Sequence, residues 1–97
     1  MKPIILTIDD DPGALIAVKR DLERQYEKRF RIVGSDSGVK ALELLQKLKA
    51  QNEVLALAIA HQRIPLMTGV EFLQNLTNIF PDAKRVLLQI IQIEKEL

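Results

Sequence analysis

The chain has 97 residues, enough for one domain (1-97) whose core buries somewhat more than ~60% of the surface exposed on unfolding. A hydrophobic fraction of 47% and a charged fraction of 28% are those of an ordinary globular protein, and a net charge of +1 offers no basic excess for nucleic acid or an anionic membrane. Cysteine is absent, which excludes disulfides, thiolate chemistry and thiolate-bound zinc, and the apolar run after Lys2 is too short for a signal peptide or membrane span, so the expectation is a cytoplasmic protein.

Pro3 to Ile8 is a continuous apolar, β-branched run, as expected of a strand buried on both faces of a parallel sheet. It stops at Asp9-Asp10-Asp11-Pro12-Gly13. From Ala14 the period changes, and Leu15, Val18, Leu22 and Tyr26 fall at helical spacing between charged residues. Phe30 to Val33 is short and β-prone. Ser35-Asp36-Ser37-Gly38 then supplies N-cap side chains for a second helix, with Ala41, Leu42, Leu45 and Leu48 as its inner stripe.

Val54 to Ala60 is again wholly apolar and too short for a helix, so it is expected as a central strand. Thr68-Gly69-Val70-Glu71 spells a capping box, with Glu71 reaching back to the cap. Phe72, Leu73, Leu76 and Phe80 form the stripe of a third helix, which Pro81-Asp82 ends. Lys84 to Ile91 is expected as a fourth strand. Gln92 to Leu97 is ambiguous: the stretch Val86 to Leu97 fits either an extension of that strand or a helix with Val86, Ile90, Ile93 and Leu97 along one side.

The order β-α-β-α-β-α-β implies parallel strands joined by crossovers, hence an open α/β sheet with helices on both faces. Such sheets bind ligands beyond the carboxyl ends of their strands. Three segments therefore matter: Asp9 to Gly13, His61 to Gly69, and Gln89.

These segments resemble the receiver domains of two-component response regulators, whose flavodoxin-like fold has strand order 2-1-3-4-5. Ile4-Ile5-Leu6-Thr7-Ile8-Asp9-Asp10-Asp11-Pro12 is similar to the family's opening strand and acidic pair, and Ser37 to Leu45 to its second helix. His61-Gln62-Arg63-Ile64-Pro65-Leu66-Met67-Thr68-Gly69 follows the family's D-x-x-M-P-x-M-x-G loop except that His61 stands for Asp and Ile64 for Met. The likeness runs from Lys2 to about Ile91 and implies an open parallel sheet lacking the family's last strand and last helices.

The resemblance implies an aspartate at the third strand's end that becomes an acyl phosphate. A Mg²⁺ held in part by the acidic pair, a hydroxyl residue after the fourth strand and a lysine after the fifth would assist. Here Asp9 and Asp10 match the acidic pair and suggest at most a weak or vestigial Mg²⁺ site, so no resident cofactor is expected. A turn capping the first helix would explain them equally well, with Asp11 as cap. His61 holds the phosphoacceptor position and has no carboxylate to phosphorylate. Gln89 replaces the threonine or serine of the switch position, and Lys84 lies at the wrong end of its strand to serve as the lysine.

The expectation is a degenerate, non-enzymatic receiver-like module that works by phosphorylation-independent protein–protein interaction. Two alternatives stay open: phosphotransfer at His61, and a small transition-metal site of Asp9, Asp10 and His61, since imidazole suits zinc or nickel. A bland reading of His61 is a neutral, space-filling imidazole hydrogen-bonded to one of the acids. Without the family's later elements the fourth strand is an open edge beside a partly bare sheet face. The expected partner is therefore a second copy (a homodimer) or another protein, through an interface including Val86, Leu88, Ile90 and Ile93.

Overall fold

A computed structural model of the chain describes residues 1–89. Four parallel strands make the sheet: β1 (Ile4–Ile8), β2 (Arg31–Ser35), β3 (Leu55–His61) and β6 (Lys84–Leu88), in spatial order β2-β1-β3-β6. Three helices connect them: α1 (Pro12–Tyr26), α2 (Gly38–Ala50) and α3 (Gly69–Ile79). A small antiparallel hairpin, β4 (Arg63–Ile64) and β5 (Met67–Thr68), stands apart from the main sheet. The expected fold class holds, and the spatial order is the beginning of the 2-1-3-4-5 arrangement.

The caps explain where the helices begin. Asp11 caps α1 by accepting from the Gly13 N–H (3.1 Å), and Pro12 takes the first turn, where a missing N–H costs nothing. The helix therefore starts two residues earlier than the apolar stripe alone indicates. Ser37 caps α2 by accepting from Lys40 N–H (3.3 Å). Asn52, at φ 61°, closes α2 in the left-handed conformation, with Glu53 N–H on the Leu48 carbonyl (3.0 Å) and Asn52 N–H on that of Lys49 (3.1 Å). Thr68 caps α3 by accepting from Glu71 N–H (3.1 Å). The Glu71 carboxylate meets the Thr68 hydroxyl (3.3 Å), rather than reaching the backbone N–H of the expected capping box.

The core lies on one side of the sheet. Ile4, Leu6 and Ile8 alternate from β1 into a cluster with Ala41, Leu45 and Leu48 of α2, Phe72 and Leu76 of α3, and Ala58 and Ala60 of β3. No α1 residue joins it; α1 packs on β1 and β2 from the other side, and its stripe Leu15, Val18, Leu22 and Tyr26 is only half-buried. Ile5 and Thr7 are buried beneath it. The second strand runs Arg31–Ser35, not Phe30 to Val33, because its register to β1 carries on to Ser35 opposite Ile8. Val54 is 60% exposed and precedes β3, which extends instead to His61, opposite Leu88. The strand expected to reach Ile91 ends at Leu88, with Gln89 beyond it; Ile90 to Leu97 lie outside the described residues.

Candidate functional site

Three adjacent strands end together. Ile8 is in register with Ala60 and His61 with Leu88, so Asp9, His61 and Gln89 succeed one another across the carboxyl end of the sheet. The sequence-predicted positions are thus at one end of the molecule, where an open parallel sheet forms its crevice. Lys84 pairs with Leu57 at the far end of β6 and plays no part there.

The three aspartates have separate environments. Asp9 is only 9% exposed; its N–H donates to the Ser35 carbonyl (3.2 Å), and its carboxylate accepts from Asp11 N–H (3.0 Å). That contact is an Asx turn over Asp9 to Asp11, which folds the chain from β1 toward α1. Asp10 is exposed, and Asp11 is the helix cap. The capping turn read as one explanation of the cluster is therefore present.

His61 is half-buried, and its Nδ1 accepts from the Arg63 backbone N–H (3.3 Å). The expected partner was an acid; the loop backbone takes that place, because the chain turns back at Gln62 and aims the Arg63 N–H at the ring. An accepting Nδ1 leaves the proton of the neutral ring on Nε2. Gln62 ties this turn to two further elements. Its N–H donates to the Leu88 carbonyl (2.9 Å), its carbonyl accepts from Gly69 N–H (3.0 Å), and its side-chain Oε1 accepts from Val70 N–H (3.3 Å).

Among the described residues, no three His, Asp, Glu or Cys side chains come together as a group that could hold an ion, so Asp9, Asp10 and His61 do not assemble into such a group. Mg²⁺ demands near-octahedral oxygen ligation. This end of the sheet offers one carboxylate already engaged with a backbone N–H, one exposed carboxylate and an imidazole.

The hairpin that fixes the loop was not foreseen. Pro65 and Leu66 form its turn, with Leu66 at φ 68° and 90% exposed, while Ile64 is buried and Met67 packs on the core. Proline at the first central position followed by a positive φ is the pattern of a type II turn, normally made with glycine or asparagine second. With leucine there, the sequence hides the turn. Gln62 gave no signal, since its contacts depend on the hairpin bringing Gly69 and Val70 back to it.

At the edge of the sheet, Val86 is 40% and Leu88 41% exposed. By register they share a face with half-buried Leu57 and Ile59 of β3. The other two residues of the expected interface, Ile90 and Ile93, lie outside the described residues.

No family model matches the sequence, and no curated protein matches it significantly. Solved structures do. A mutant MaeR response regulator bound to sulfate is 22% identical, with a TM-score of 0.72 over 95% of this chain and 70% of that one. A response regulator receiver domain protein from Clostridium thermocellum is 21% identical, with a TM-score of 0.74 over 90% of this chain and 64% of its own. A structure described as an adenylate cyclase from Rhodopirellula baltica is 25% identical, with a TM-score of 0.75 over 90% of this chain and 58% of its own. The chain thus spans between 58% and 70% of these three proteins. With its order β2-β1-β3-β6, its helices on both faces and these neighbours, the chain has the fold of a response-regulator receiver domain.

Proposed function

We propose that this chain is a signalling module of the two-component type that works by binding a protein partner, or a second copy of itself, without aspartyl phosphorylation and without catalysis. One observation carries the reading. Where the receiver likeness places an acceptor carboxylate stands His61, whose Nδ1 already accepts a backbone N–H from its own loop. The supporting chemistry agrees: Gln89 has no hydroxyl to follow a phosphoryl group. The binding surface is the face of β6 that presents Val86 and Leu88 beside Leu57 and Ile59.

The experiment is sedimentation velocity of the chain at micromolar concentration, with and without a small phosphodonor and Mg²⁺, alongside intact-mass measurement. The expected result is a dimer unchanged by the phosphodonor, no added phosphoryl mass, and a monomer for Leu88→Lys. Phosphoryl incorporation, or association that appears only with the phosphodonor, overturns the reading. An acid-labile adduct on His61 would indicate phosphotransfer at the imidazole instead. A folded, monomeric parent leaves a different protein as the partner and removes the self-association half.

A further inference from the structure

The segment from His61 to Gly69 is held against the rest of the fold at two places. One is the Gln62 backbone, which joins it to β6 and α3. The other is the seat of the hairpin on the first turn of α2, where the Met67 thioether and Ile64 lie against Gly38. Gly38, the first residue of α2, is buried, and a Cβ built there would lie 2.8 Å from Met67 Sδ, 3.1 Å from Met67 Cγ and 3.2 Å from Ile64 Cδ1. The thioether therefore lies directly on the α2 backbone, in a space without room for a methyl group. Met67 is nevertheless only half-buried.

We propose that Met67 is a modification site, oxidised by a peroxide to the sulfoxide, and that this oxidation unseats the β4–β5 hairpin from α2. In the step, a sulfur lone pair takes one oxygen from the peroxide. The S–O bond forms as the O–O bond breaks, and the proton on the transferred oxygen leaves with the other oxygen as water or alcohol. Sulfur loses two electrons and the peroxide gains them. The product exchanges a flexible apolar side chain for a larger, polar one. At an exposed methionine that change is harmless. At Met67 it puts a polar oxygen and added volume on a sulfur packed against Gly38 and the core, so the hairpin lifts and His61 loses the turn that presents the Arg63 N–H. The proposal is independent of the partner-binding reading, since it requires only that the fold be present.

The test treats the full chain with hydrogen peroxide, locates sulfoxide by peptide mass, and follows thermal unfolding and amide exchange. Met1, fully exposed, is the internal control for oxidant strength. The expected result is sulfoxide at Met67, a fall in melting temperature of about 4–8 °C for each kcal/mol lost, and faster exchange over residues 62–69 and 38–41. Methionine sulfoxide reductase should restore both readouts, and Met67→Leu should lose neither on oxidation although its Met1 is still converted. Oxidation of Met1 with Met67 untouched, or sulfoxide at Met67 with unchanged or raised melting temperature, overturns the proposal. So does an equal fall in oxidised Met67→Leu. Should that variant fail to fold, reversal by the reductase in the parent decides alone.

Discussion

Gly69→Ala is expected to destabilise the fold, although alanine is the better helix former and Gly69 opens α3. The glycine is not in the left-handed region; what it supplies is space. An added Cβ would lie 2.5 Å from the His61 carbonyl oxygen, 2.7 Å from Leu87 Cδ1 and 3.0 Å from Gln62 Cα. Leu87 can rotate, but the other two are backbone. Shifting α3 away would break the Gly69 N–H bond to Gln62, and shifting Gln62 would disturb its bond to Leu88. Overpacking costs about 1–3 kcal/mol and a lost hydrogen bond about 0.5–1.5 kcal/mol, against a gain of about 0.5–1 kcal/mol from replacing glycine in a helix. The net loss is about 0.5–4 kcal/mol, from a total that for such domains is about 5–15 kcal/mol. Gly13→Ala in α1 is the control of opposite sign. There the nearest atom to a built Cβ is Asp11 Oδ1 at 3.6 Å, an ordinary contact, so the change should stabilise by about 0.4–1 kcal/mol. Urea denaturation followed by circular dichroism, analysed with a common slope, measures both. A Gly69→Ala protein within about 0.5 kcal/mol of the parent, or more stable than Gly13→Ala, would refute the steric argument.

Three further outcomes follow from the site and its supports. Thr68→Ala should cost about 0.5–2 kcal/mol by removing the acceptor for Glu71 N–H, and Thr68→Ser should recover most of it in the same assay. Asp9→Asn should leave stability unchanged or slightly raised, because the amide oxygen still accepts from Asp11 N–H while repulsion with Asp10 falls. Asp9→Ala, which removes the acceptor, should lose about 1–3 kcal/mol, and equal losses for the two variants would show that the charge matters more than the hydrogen bond. His61→Asp, incubated with a small phosphodonor and Mg²⁺, should show at best weak, short-lived phosphorylation by intact mass, since Gln89 offers no hydroxyl to the phosphoryl group and leaves its charge poorly stabilised. Stoichiometric, long-lived incorporation would mean that a hydroxyl at that position is dispensable here.

The chain's main outline follows from local chemistry. The apolar run at Ile4–Ile8 has every residue buried because a central parallel strand meets packing on both faces, and the run alone states this. Ser37 and Thr68 cap their helices because a hydroxyl one residue before an apolar periodic stretch satisfies N–H groups that no other nearby group can reach. The alternation of periods then dictates parallel strands, and the loops after β1 and β3 carry Asp9, Asp10 and His61 to one end of the sheet. Those facts are short-range, so the order of residues determines them.

Contacts between segments distant in the sequence decided the rest. The stripe of α1 reads like those of α2 and α3, yet it is half-buried, because the depth of a helix depends on what else covers the same sheet face. The hairpin at Arg63–Thr68 is set by Ile64 and Met67 finding the core and Gly38, which no local pattern around Leu66 announces. The partner of His61 was settled in the same way. Whether its ring met an acid across the strand ends or the N–H of its own loop depended on how that hairpin folded back, and the fold gave Nδ1 to Arg63. Residue type is written in the sequence, but the hydrogen-bond partner of a side chain is chosen by whichever group tertiary packing brings within about 3 Å.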